Sequence, residues 1–197
     1  VILLNREENM KKIIIIVLRN FNYLILLVAI VLIHFSCDTQ ESKKNNIDNV
    51  NNHSVKLVNE LMVLWETGDT LKTDNIFTDT CTYSDVANNQ TFVGIQGVNK
   101  YVHHVHDWAS EIKMIVRNIE IKDSIGYVEW TFKARQTNPI KGIVLIATNK
   151  KVTLNGVTLI EFSNGKIKNA SDYMDVLGFI LQLGSKVELP GGVIISN

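Results

Sequence analysis

Apolar residues fall at helical spacing in the first part of this chain and alternate with polar ones in the second. Val55, Val58, Met62 and Trp65 recur every three or four positions, which predicts a helix with Ser54 as its N-cap and Gly68 as its stop. A second short helix is expected over Leu71 to Phe77, and a third opens at Gly94 with Ile95, Val98, Val102 and Val105 as its stripe, ending near Asp107. Between them Thr80 to Asp85 reads as a strand with Cys81 and Tyr83 on one face. A turn at Ala87 to Gln90 and a short strand at Phe92-Val93 follow.

From Ile112 onward the period changes to two. Ile112, Met114 and Val116 share one face, but Ile119 and Ile121 continue in the opposite phase, so a bulge is expected around Arg117-Asn118. Tyr127 to Gln136 alternates cleanly, with Val128, Trp130, Phe132 and Ala134 on the buried face. Val157 to Phe162 and Lys166 to Asp175 flank Asn164-Gly165, a strong short signal for a tight hairpin. A short apolar helix then runs up to Gly184. Helices first and long antiparallel strands afterwards argue an α+β fold with helices on one face of a bent sheet.

The N-terminal part has a different character. Met10-Lys11-Lys12 reads as the start of translation, with residues 1–9 an upstream extension. Basic Lys11, Lys12 and Arg19 precede an apolar run from Tyr23 to Phe35, and Ser36-Cys37 closes it before polar sequence begins. That order suggests a bacterial lipoprotein signal over residues 1–36 with Cys37 as the lipidated residue. The competing reading is an uncleaved anchor, because Ile13 to Phe35 is about long enough to span a bilayer. Both readings place the domain in the bacterial cell envelope, tethered to a membrane outside the cytoplasm. Residues 37–53 are polar and Asn-rich and read as a disordered tether. Residues 54–184 form the domain, and 185–197, with Pro190-Gly191-Gly192, form a loosely ordered tail.

Residues 37–197 carry 16 Lys and Arg against 18 Asp and Glu, so no basic face points to nucleic acid as a partner. With Cys37 committed to lipid, Cys81 is a lone thiol and no internal disulfide is available. His103, His104 and His106 suggest metal at first sight. On one helix, however, His104 and His106 point about 160° apart, and no second motif supplies ligands. No metal and no organic cofactor is expected, and the histidines read as rim residues.

Asp172 is the residue with a chemical question attached. It falls mid-strand between Ala170 and Met174 on the same face, with Thr158 and Ile160 expected on the paired strand. A carboxylate among such neighbours is poorly solvated, and its pKa is expected to rise towards the range of a general base. Asp175, three positions on, faces the other way and reads as an end-of-strand or helix-start acid.

Gly156 to Gly184 (GVTLIEFSNGKI through DVLGFILQLG), with the upstream run GIVLIATNKKVTLNG from Gly142 to Gly156, resembles the SnoaL-like polyketide cyclases of the nuclear-transport-factor-2-like superfamily. The resemblance implies a cone: a curved antiparallel (mixed) sheet wrapped over about three N-terminal helices, with a short C-terminal helix. It aligns Asp172 with the family's general base and implies a cyclase or isomerase that needs no cofactor. Three positions where the family carries His hold Ala170, Thr158 and Gln136 in this sequence. Gln136 and Tyr83 are therefore the candidate donors to a developing oxyanion, and Trp65, Trp130, Phe132, Thr158, Ile160, Ala170 and Met174 the candidate pocket for a small apolar molecule. The alternative is a non-catalytic lipoprotein that binds a ligand or a protein. The resemblance also implies a homodimer through the outer sheet face, where Val157 and Leu159 would sit, with Ile119 and Ile121 adding area.

Overall fold

The computed structural model describes residues 51–196. The expected leader at 1–36, Cys37 and the tether up to residue 50 lie outside the described residues.

A helix, α1, occupies residues 51–67. Its Leu57, Val58, Leu61, Met62, Leu64 and Trp65 are buried. The expected N-cap, Ser54, lies inside this helix and is itself buried. Gly68 ends the helix as expected: its φ of +70° suits a residue without Cβ, and its N–H closes on Leu64 O at 2.9 Å. A 3-10 turn (Thr70–Lys72) capped by Asp69 leads into α2 (Thr73–Ile76). The first strand, β1 (Phe77–Asp85), starts three residues earlier than the pattern suggested, because the backbone is already extended at Phe77. After β2 (Gln90–Val93) comes α3 (Gly94–Trp108).

Four long strands follow as β3 (Ala109–Lys122), β4 (Ile125–Gln136), β5 (Lys151–Ser163) and β6 (Lys166–Met174), then α4 (Val176–Gln182). The sheet order is β2-β1-β6-β5-β4-β3. Within it only β1 and β6 run parallel, so the sheet is mixed, and β6 lies at its centre between β1 and β5. The β5–β6 turn has φ of +51° at Asn164 and +71° at Gly165, the two left-handed residues that a two-residue hairpin with native twist demands.

The expected bulge is present, with the β3–β4 register shifting between Val116 and Asn118. Its consequence differs from expectation. One extra residue restores the phase, so Met114 before it and Ile119 and Ile121 after it all pack against the core. Ile119 and Ile121 therefore do not extend an apolar patch on the outer face, where Leu159 is 46% exposed. The tail also contains regular structure: β7 (Val187–Glu188) pairs with β8 (Ile194–Ile195) as a small hairpin.

Along β4 every second residue from Gly126 to Gln136 is buried, and Val152, Leu154, Thr158, Ile160 and Phe162 do the same on β5. This face, with α1, α3 and α4, forms one hydrophobic cluster from Leu57 to Leu183. Between β4 and β5 the segment 137–150 folds as a loop pinned by a bridge between Ile140 and Val144. Together these elements leave a gap in the core.

Candidate active site

The gap is a cavity of about 330 Å³ whose wall includes Trp65, Trp108, Met114, Trp130, Phe132 and Phe179. Asp85, Asn88, Gln90, His104, Thr158 and Asp172 add polar groups to the lining. An apolar space with a few convergent polar groups is the usual form of a small-molecule site.

Register places the polar groups. Thr158 on β5 stands opposite Asp172 on β6, and on the other side Asp85 of β1 is the parallel partner of Asp172. Asp172 is 5% exposed and Asp85 4%. Thr158 Oγ1 donates to Asp172 Oδ1 at 2.6 Å, and Tyr83 Oη donates to both carboxyl oxygens at 3.0 Å. Behind each hydroxyl stands an indole: Trp130 Nε1 donates to Thr158 Oγ1 at 2.9 Å and Trp65 Nε1 to Tyr83 Oη at 3.1 Å. An indole N–H can only donate. Each hydroxyl therefore accepts from its tryptophan and turns its own proton towards Asp172. The two relays orient the carboxyl before any ligand arrives.

Burial pushes the pKa of Asp172 up from 3.8 to about 7; the Thr158 and Tyr83 hydrogen bonds pull it down, and the charge of Asp85 raises it. Desolvation and the nearby Asp172 charge hold the Tyr83 phenol well above its ordinary value. Burial followed by the charges of Asp172 and Asp85 does the same for Tyr101. Neither phenol ionises near neutrality, so both remain hydrogen-bond donors.

Of the residues singled out from sequence, Trp65, Trp130, Phe132, Thr158, Met174 and Asp172 line the cavity. Ile160 and Ala170 are buried in the adjoining core without lining it, and Tyr83 lies behind Asp172, fully buried. Gln136 is elsewhere. Its Nε2 donates to Asn138 O at 2.6 Å and Ile146 O at 2.8 Å, while its Oε1 accepts from Thr148 N at 2.6 Å and Thr148 Oγ1 at 2.5 Å. Its amide is consumed in holding the 137–150 loop, so it offers no donor to a ligand. Asp175 caps α4 by accepting from Gly178 N at 2.8 Å.

The histidines diverge. His103 bonds Thr70 Oγ1 at 3.3 Å, His106 bonds Trp65 O at 3.0 Å, and His104 lines the cavity. Among the described residues no group of three or more His, Cys, Asp or Glu could hold a metal ion. Cys81 is buried, and desolvation raises its thiol pKa, which suits packing better than nucleophilic work.

Sequence reasoning missed Asp85, although a signal existed: it follows Cys81 and Tyr83 by the period of two that puts all three on one face. Tyr101, one turn beyond Val98 on the buried stripe of α3, could have been found the same way. The loop residues Ile140 to Ile143 had no such signal.

The SnoaL-like polyketide cyclase model matches residues 56–183. The chain belongs to this family. No curated protein matches it. Among solved structures, TsrD from Streptomyces laurentii is 20% identical with a TM-score of 0.59, over 66% of this chain and 95% of that one. A hypothetical protein of ketosteroid isomerase-like fold from Catenulispora acidiphila DSM 44928 is 14% identical with a TM-score of 0.55, over 64% and 90%. An LEH-like epoxide hydrolase from M. tuberculosis is 15% identical with a TM-score of 0.53, over 67% and 90%. At such identities the likeness is one of fold. This SnoaL-like domain thus has the nuclear-transport-factor-2 and ketosteroid isomerase-like architecture, with Asp85 and Asp172 buried at its cavity.

Proposed function

We propose that the SnoaL-like domain binds a small carbonyl compound and transfers a proton within it, in the manner of a cyclase or isomerase, with Asp172 as the base. The observation that carries this reading is a buried carboxyl in the wall of a mainly apolar cavity, held by two hydroxyls, with its pKa raised to about 7. A base poised near working pH is the most effective one. In the step envisaged, the C–H bond beside the carbonyl breaks, its proton passes to the Asp172 carboxylate, and the electron pair moves onto the carbonyl oxygen. The developing charge then needs a donor. Gln90 and His104 line the same cavity and carry N–H groups for that role. The proton returns at a second carbon in an isomerisation, or the enolate carbon attacks an electrophilic carbon of the same molecule in a ring closure.

Hydrogen exchange tests the first half of this without knowledge of the final product. Small ketones and 1,3-dicarbonyl compounds in D2O should gain deuterium beside the carbonyl when the protein is present. Asp172→Asn should slow that gain by roughly a hundred-fold or more. Equal exchange with both proteins, or none with either, refutes the reading.

A second reading, ligand binding without turnover, is favoured by one observation: neither expected oxyanion donor reaches the cavity, because Gln136 is spent on its loop and Tyr83 points at Asp172. In that case Asp172→Asn changes ligand affinity while no exchange is seen. We also infer a lipid-anchored domain of the cell envelope from the basic, apolar, Ser36-Cys37 order. Mass spectrometry of the membrane fraction should find a chain beginning at lipidated Cys37, and an intact N-terminus at Met10 would exclude it.

A further inference from the structure

Asp85 has a local explanation that leaves half of it unexplained. It accepts hydrogen bonds from Asn88 N at 3.1 Å, Asn88 Nδ2 at 2.8 Å and Tyr101 Oη at 2.9 Å. The Asn88 bonds close the turn between β1 and β2, as an aspartate there commonly does. A turn-closing aspartate, however, can sit in water. This one is nearly fully buried, lines the cavity, and is in register with Asp172 on the neighbouring parallel strand. Paired strands lie about 4.8 Å apart, so the two side chains rise from adjacent positions into the same cavity wall, and the Asp85 charge acts on Asp172.

We propose that Asp85 and Asp172 act as one carboxyl pair, with Asp85 as the positioning residue that favours a proton on Asp172. The proposal builds on the reading of Asp172 as the base of the cavity. Among the described residues, no lysine or arginine makes an ion pair with either acid. Every hydrogen-bond partner of either carboxyl is a donor, Asn88 and Tyr101 on Asp85, Thr158 and Tyr83 on Asp172. Two uncompensated negative charges in a desolvated wall repel, which favours protonation of one of them. At Asp172 burial first and the Asp85 charge in addition favour the protonated form.

The other titratable groups around Asp172 are few. Tyr83 from β1 donates to it, Tyr101 from α3 donates to Asp85, and His104 from α3 and exposed Lys141 from the loop line the same cavity. Neither His104 nor Lys141 hydrogen-bonds to either acid. Among the described residues, Asp85 is thus the one acidic neighbour of Asp172 within the cavity wall. The functional consequence is a base that is half-available near neutrality rather than permanently ionised.

The test reads the proton directly. The full chain, labelled with carbon-13 at its aspartate carboxyls and kept in detergent, is titrated by NMR, with the Asn variants assigning the two signals. Asp85→Asn should lower the Asp172 midpoint by about one pH unit. Should Asp85→Asn fail to fold, Asp85→Ser, which keeps an oxygen to accept from Asn88 without the charge, gives the same measurement. An Asp172 midpoint unmoved by removal of the Asp85 charge overturns the proposal and leaves Asp85 a turn former. A coupled pair in a protein that exchanges no carbonyl substrate would uphold the pair and remove the catalytic reading instead.

Discussion

Replacing Asp172 by Asn should change the pH dependence of stability in a way that needs no substrate. In the folded protein burial raises the Asp172 pKa from 3.8 to about 7, while the unfolded chain keeps the ordinary value. Between those limits the folded state binds a proton that the unfolded state does not. Stability therefore falls as pH rises through this window. The full contribution is present below about pH 4 and lost once pH exceeds the folded value. Over the whole window it is on the order of 4 kcal/mol, and between pH 5 and pH 8 it amounts to about 2.5 kcal/mol. The amide that Asp172→Asn introduces does not titrate, so the variant lacks this slope, and groups remote from Asp172, common to both proteins, cancel in the difference. That amide also brings an N–H2 group beside the Tyr83 and Thr158 hydroxyls, which both donate in the native protein. The mismatch costs about 1–3 kcal/mol and sets the variant below the native protein at pH 5. Urea unfolding at pH 5, 6, 7 and 8 should show the gap shrinking by about 2.5 kcal/mol across the series. A gap that stays constant would mean that Asp172 titrates normally, and the argument from its desolvation would fail.

Two further outcomes follow from the packing. Gly156 is the cross-strand partner of Trp130, and a Cβ there would fall inside van der Waals contact of the Trp130 ring and meet the Tyr173 carbonyl. Gly156→Ala should cost about 1–3 kcal/mol, and by displacing Trp130 should raise the Asp172 titration midpoint as the Thr158 relay loosens; an unchanged Trp130 environment in fluorescence and NMR would count against it. Gln136→Leu removes the four hydrogen bonds that hold the 137–150 loop, so amide exchange should accelerate across that loop while the β4 and β5 amides remain protected. Uniform acceleration in both would show that the amide supports the whole sheet rather than the loop.

Much of the architecture was legible in the residues because it rests on short-range regularities. Helical spacing from Val55 to Trp65, the stop at Gly68, the Asn164-Gly165 turn and the alternation along β4 each depend on neighbours within a few positions. The phase break near Arg117 even located the bulge. The same reasoning singled out Asp172, because a carboxylate between Ala170 and Met174 on a strand conflicts with its surroundings wherever that strand lies.

What tertiary structure decided was which strand lies beside which, and where each side chain finds its partner. The parallel pairing of β1 with β6 joins residues about 90 positions apart and brings Asp85 next to Asp172; no local period encodes a crossover of that length. The indole relays likewise depend on α1 and β4 each delivering a tryptophan to a hydroxyl on another element. Gln136 shows the converse. Its place at the end of β4 was readable, but its amide was claimed by a loop whose course is set by backbone groups seeking partners, a requirement indifferent to side-chain pattern. Alternation can tell that a residue faces inward. Whether it meets a cavity, a carboxylate or a loop carbonyl depends on the chain that packs over it.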